Sequence, residues 1–284
     1  MPAFTGLEHL VFMVNDLDAA AAQWRRLGFT LSPKGFHSGE SGTANYTMMF
    51  ERDYLELLGN LRPTPNNAAG RAFLETVGEG LQRVALGTSD AQASAAFWSG
   101  QDLLTHGPKF IERPVTRPDG STGMVSFNVV DWDNDSRPEG MRLFACQHLT
   151  PQMVWLPELL THANGAEAIA ALDIPSADPE GEARRLAALA DAELGREAGD
   201  RWIVRPGGER ADLVFIGMQS FAALYPDVTV RPGLEIHDCV VRLVTASLEQ
   251  AQAAIGDLAT RAEGRLLVAA AHANGVNLCF EARR

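Results

Sequence analysis

The 284-residue chain carries 24 lysines and arginines against 36 aspartates and glutamates, a formal charge of −12, and 46% of its residues are hydrophobic. At roughly 150 residues per domain this length accommodates about two domains, with apolar residues enough for a sizeable core. The acidic balance and the lack of a Lys/Arg run speak against nucleic acid or an anionic membrane surface as partner. Three cysteines (Cys146, Cys239, Cys279) make no disulfide framework and fit a reducing cytoplasm. No basic-then-apolar leader opens the chain, and charges or glycines interrupt every apolar stretch before membrane-spanning length.

Gly6-Leu7-Glu8-His9-Leu10-Val11 through Asp16 aligns with Gly80-Leu81-Gln82-Arg83-Val84-Ala85 through Asp90 at an offset of 74 residues, and the same offset places Trp24 over Trp98. Each copy reads as a strand ending at Asn-Asp or Ser-Asp, which caps a helix (19–27 or 91–98) closed by Gly28 or Gly100. Three strand-like runs follow in each: 30–32, 44–50 and 54–58 in the first, 110–115, 124–130 and 142–147 in the second. The second half repeats the order more faintly. A strand at 166–174, a helix at 182–194 and strands at 201–204 and 213–218 make a third unit. A strand at 239–244, a helix at 247–258 and a hairpin of 266–271 with 276–281 across Asn274-Gly275 make a fourth. The pattern predicts an α+β protein of four β-α-β-β-β units, paired into two domains at 1–155 and 156–284, with the seam within 156–165.

Gly-Leu-Glu-His9-Leu-Val, the strand ending at Asp16-Leu17-Asp18, Leu27-Gly28-Phe29-Thr30 and Tyr54-Leu55-Glu56-Leu57 resemble the vicinal-oxygen-chelate superfamily. That superfamily includes glyoxalase I, extradiol dioxygenases and bleomycin-resistance proteins. Gly35-Phe36-His37-Ser38-Gly39 followed by Gly42-Thr43-Ala44-Asn45 looks most like its glyoxalase-like branch. The resemblance covers residues 5–155 well and 165–284 only in architecture. It implies two curved sheets, the first closed around a divalent metal (Zn, Fe, Mn or Ni) with ligands from first and last strands, here His9 and Glu56. The residue chemistry agrees, since imidazole plus carboxylate suits such ions and a carboxylate between Leu55 and Leu57 needs a cation or hydrogen bonds.

The second copy departs from this pattern, because Arg83 stands where His9 does and cannot ligate a cation. Residues 142, 144, 146 and 148 share a strand face, so His148 is a third metal candidate if the strand reaches it and a loop residue if it does not. Arg83 would bind a substrate carboxylate, or bridge to Glu56 and leave a metal-free cup. His37, in a Gly/Ser-rich loop, either covers the cup as a substrate-binding group or is a surface residue. His106, His162 and His272 read as solvated loop residues, and the three cysteines as packing residues.

The resemblance implies a lyase or isomerase acting on a small oxygen-rich molecule chelated by the metal, with Glu56 as ligand and base. A cup without metal that binds and sequesters a small molecule is the alternative, and an extradiol-type dioxygenase the third. The carboxy-terminal half, which has no histidine in Ala166-Glu167-Ala168-Ile169, reads as structural. A cytoplasmic location, no membrane or nucleic-acid partner, and a possible homodimer complete the expectations.

Overall fold

In a computed structural model, residues 3–37, 39–133 and 142–283 are described. The first unit comprises β1 (Gly6–Val14), α1 (Leu17–Arg26), β2 (Gly35–Phe36), β3 (Thr43–Met49) and β4 (Tyr54–Asn60). After α2 (Ala68–Thr76) comes the second unit: β5 (Gly80–Gly87), α3 (Ala91–Ser99), β6 (Thr105–Thr116), β7 (Thr122–Trp132) and β8 (Arg142–His148). The third is β9 (Ala166–Ser176), α4 (Pro179–Leu189), β10 (Glu193–Glu197), β11 (Arg201–Arg205) and β12 (Asp212–Gly217). Following α5 (Met218–Leu224), the fourth is β13 (Val240–Thr245), α6 (Leu248–Ile255), β14 (Ala259–Ala262), β15 (Arg265–Val268) and β16 (Asn277–Ala282).

Each pair of units forms one eight-stranded sheet, ordered β2-β3-β4-β1-β5-β8-β7-β6 and β10-β11-β12-β9-β13-β16-β15-β14. In each, two parallel pairs (β1 with β4, β5 with β8) meet at a central antiparallel junction. The edge strands β2 and β6 touch, so the first sheet curls into a nearly closed cup. The four unit helices α1, α3, α4 and α6 lie on the opposite face and build one core shared by the halves. Trp24 and Trp98, both 0% exposed, fill it, Phe29 meets Phe280 at 6.1 Å, and the Trp98 indole donates to the Leu189 carbonyl at 2.8 Å.

The expected caps are in place. Asp16 accepts from the amides of Asp18 and Ala19 at 3.0 Å, and Asp90 from Gln92 and Ala93 at 3.0 and 3.1 Å. Gly28 takes the left-handed conformation at φ +83°, but Gly100 stays right-handed at φ −68° and Asp102 makes the turn at φ +59°. The first short strand is 35–36 rather than 30–32, where Ser32 makes a single ladder bond to Thr47. The third unit's helix, α4, stops at Leu189, because Asp191 turns at φ +48° and releases 193–197 as a strand. Asn274 and Gly275 both have positive φ, yet β15 and β16 are joined through a longer 3-10 turn at Ala270–His272, not a two-residue hairpin loop. His162 is a core residue rather than a solvated one: its Nδ1 accepts from the Thr30 amide and its Nε2–H donates to the Met49 carbonyl, each at 3.0 Å. His106 and His272 are exposed.

Candidate active site

The concave face of the first sheet encloses a cavity of about 680 Å3. His9, Val11 and Met13 from β1, Tyr54 and Glu56 from β4, and Arg83 from β5 line it, with Arg142, Phe144 and Cys146 from β8 and Arg113 from β6. His37 and Asn45 also face it. Phe73 of α2 packs on Val11, Met13 and Leu58 and closes one end. At the other end Trp155 lies 5.9 Å from Tyr54 and 4.8 Å from His148.

Two β-bulges deliver the polar groups. Between β1 and β5 the register runs Leu7↔Leu86 and then His9↔Ala85, so Glu8 is an extra residue; further along, Val11↔Arg83 gives way to Phe12↔Leu81, so Gln82 is extra. Glu8 and Gln82 are 74 residues apart, hence equivalent in the repeat, and each holds the side chain that follows it. Glu8 Oε2 lies 3.3 Å from His9 Nδ1, and Arg83 Nε donates to Gln82 Oε1 at 3.0 Å. Strict two-residue alternation would turn Glu8 and Gln82 away from these partners, which is why pattern reading passes over both. Their shared polarity at the repeat offset was the available signal.

Glu8 is 5% exposed. Burial opposes its charge, yet hydrogen bonds from His148 (Nε2, 3.0 Å) and His9 bring its carboxyl down to about 2. An ionised Glu8 only accepts, so His9 Nδ1 and His148 Nε2 both carry their hydrogens toward it. His9 therefore presents Nε2 to the cup, 3.7 Å from Glu56 Oε2. Asn45 donates to Glu56 Oε1 at 2.8 Å, and the Tyr54 ring stacks on the His9 imidazole at 4.3 Å. His37, its Nδ1 2.8 Å from Thr43 Oγ1, is brought down to about 4 by burial and stays neutral near pH 7.

Of the sequence candidates, His9, Glu56, Arg83 and His37 share the cup, whereas His148 does not line it. β8 reaches His148, but its imidazole is tied to Glu8 within a box of Phe127, Tyr54 and Trp155. Glu8, Cys146 and His148 have ligand atoms within 4.8 Å of one another, and burial pushes the Cys146 thiol well above its ordinary range. Among the described residues no Arg83–Glu56 bridge forms; Glu56 faces His9 and Asn45 instead.

The register also tests a metal. Glu56 stands across from Val11, and the repeat-equivalent of Val11, Ala85, faces Phe144. The four strand positions that could converge on an ion thus hold His9, Glu56, Arg83 and Phe144, whose ring packs edge-on against His9 at 5.4 Å. Two donors, a guanidinium and a phenyl ring fall short of the three protein ligands usual at a catalytic metal.

In the second sheet, aligning the caps Asp16 with Asp178 and Asp90 with Ser247 puts Ala171, Val214, Val240 and Cys279 at the corresponding positions. All four belong to an apolar cluster completed by Phe221 and Tyr225, the former on α5 and the latter just beyond it. A core fills the second cup.

Two sheets of paired β-α-β-β-β units, one with an open polar cup, define the vicinal-oxygen-chelate fold. The model of the glyoxalase-like domain family matches residues 7–190, and the chain belongs to that family. A hypothetical protein from Staphylococcus aureus superposes with a TM-score of 0.67 at 15% identity, over 98% of this chain and 99% of that one. A triple mutant of 4-hydroxymandelate synthase from Streptomyces coelicolor gives 0.61 at 13%, over 100% and 95%. These likenesses show the fold. No curated protein matches the chain. Among the described residues no helix is long and apolar enough to cross a membrane.

Proposed function

We propose that the cup of the amino-terminal half, residues 1–155, is an active site of lyase or isomerase type that moves a proton on a small oxygen-rich substrate. The observation that carries this reading is His9, anchored through Nδ1–H on the ionised Glu8 and facing Glu56 across 3.7 Å. His9 Nε2 takes a proton from a carbon beside a substrate carbonyl, and Glu8 stabilises the imidazolium that forms. The electron pair of the broken C–H bond moves onto the carbonyl oxygen, where the Arg83 guanidinium in the cup wall stabilises the charge. Glu56, oriented by Asn45, is the second proton-transferring group: it takes the proton from His9 Nε2 across the 3.7 Å between them and delivers it to carbon or oxygen, which leaves both groups as they began. His37, neutral at the cup's edge, contacts substrate without adding charge.

Proton NMR in D2O over a panel of 2-oxo acids and 2-hydroxy ketones tests this. Carbon-bound hydrogen exchanges with the wild-type protein; His9→Gln slows exchange by about 100-fold or more, and Glu8→Gln produces a smaller loss. No exchange across the panel, with or without added Zn2+, Mn2+ or Ni2+, contradicts an enzyme and leaves a small-molecule binding protein.

The second reading is that His9 and Glu56 hold a divalent ion, which would supply Lewis-acid stabilisation of the enolate oxygen. It is favoured by Glu8 on the far imidazole nitrogen, an arrangement common behind metal-bound histidines. An extradiol-type dioxygenase, which by the resemblance would carry its iron in the second half, would have Ala171, Val214, Val240 and Cys279 at the four positions there.

A further inference from the structure

Three guanidinium groups, Arg83, Arg113 and Arg142, line the cup together with Glu56, while the outer wall adds Lys34 and Lys109 and the carboxylates Glu40, Glu112, Asp131 and Asp133. Among the described residues no carboxylate lies within 4.0 Å of any of the three. Arg83 donates to the neutral Gln82 amide. Arg113 reaches only Asn45 Oδ1, at 3.5 Å through Nη2, and its Nη1 is buried without a partner. Burial pulls both arginines below their ordinary range, the direction expected of charges in search of counterions.

Room for Arg113 is built into the backbone. A Cβ at Gly35 would stand 2.4 Å from Asn45 Oδ1 and 2.7 Å from Arg113 Nη1, so only glycine lets the guanidinium sit there. Asn45 then links it to Glu56, giving a line Arg113–Asn45–Glu56–His9 along the wall. Around His9 the three guanidiniums face two carboxylates, Glu56 and the ionised Glu8, so positive charge exceeds negative by one there, on a chain whose net charge is −12.

We propose that the ligand of this cup is a small dianion, two carboxylate-like groups on a short carbon chain, with Arg113 as an anion-binding residue beside Arg83. It rests on the cup being a ligand site, as in the proposed function, but not on proton transfer taking place there. One group pairs with the buried Nη1 of Arg113, and the other with Arg83 and Arg142. Such charge-assisted, fork-shaped contacts select planar oxyanions over neutral isosteres.

Isothermal titration calorimetry at low salt with malonate, succinate, malonamide and succinamide tests the proposal. At least one dianion binds about 10-fold or more tightly than its diamide, and Arg83→Gln and Arg113→Gln each lose about 10- to 100-fold. Gly35→Ala displaces only side-chain ends, so it leaves the unfolding midpoint near wild type and still weakens the dianion, which separates loss of binding from loss of fold. A dianion that binds no better than its diamide, no binding by either dianion, or arginine variants that bind as wild type overturns the proposal. Dianion binding without hydrogen exchange overturns the proton-transfer reading alone.

Discussion

Arg242→Met is expected to destabilise the protein by about 3–5 kcal/mol, because it strips the counterion from a buried carboxylate. Asp173, 1% exposed, accepts from the Tyr225 hydroxyl at 2.6 Å and pairs with Arg242 Nε at 3.2 Å; Arg242 also reaches Glu281 at 3.4 Å. Burial already pushes the Asp173 carboxyl upward, and Arg242 and Tyr225 oppose that push. Without the arginine the carboxyl must take up a proton or remain unpaired. The loss therefore grows with pH, and Asp173→Asn added to Arg242→Met recovers part of it. Thermal and urea unfolding at pH 5 and pH 8 read both effects, and a loss below about 1 kcal/mol at pH 8 contradicts them.

The second large effect has the opposite sign. Asp53, 2% exposed, accepts from the Ile169 amide at 3.1 Å where the first sheet meets the second, and burial pushes its carboxyl up to about 7. A folded-state value above the unfolded value of roughly 3.9 means that the native state holds the proton more tightly. Its contribution is thus fully present below pH ~4 and is lost as pH rises through about 7. Asp53→Asn keeps the acceptor for Ile169 and removes the charge. It should be near neutral below pH ~4 and stabilise by about 3–4 kcal/mol at pH 8, flattening the fall in stability between those values. Equal effects at the two pH values in a denaturant titration contradict the assignment.

Much of this architecture is legible in the sequence, because the 74-residue offset carries caps, tryptophans and strand periodicity together. What stays hidden has local physical causes. The bulges at Glu8 and Gln82 break the alternation on which face assignment depends, so the carboxylate that orients His9 goes unseen. Residues 193–194, the start of β10, read as helix because Leu194 continues a 3.6-residue apolar rhythm, and only the positive φ of Asp191 ends it. α2 and α5 lie between units, where the repeat predicts nothing, yet Phe73 on α2 and Phe221 on α5 decide how much of each cup remains open. Arg113 sits on a strand that does read as a strand. Its part in the cup depends on β2 touching β6 and on Gly35 leaving space, both properties of the curled sheet.

The two cups have diverged from one plan. In the second, Val214 stands where the first has Glu56, and Ala171, Val240 and Cys279 stand where it has His9, Arg83 and Phe144. In the first, the Arg83 guanidinium and the Phe144 ring stand beside His9 and Glu56 at the four converging strand positions, and we propose that side chains supply the charge chemistry there.

Metal analysis by mass spectrometry on tag-free protein, with His9→Ala and Glu56→Ala beside the wild type, tests that claim most directly. Transition metal well below one equivalent, unchanged in both variants and after reconstitution with Zn2+, Mn2+, Fe2+ or Ni2+, is the expected result. About one equivalent in the wild type, lost in both variants, would contradict it and make His9 and Glu56 metal ligands.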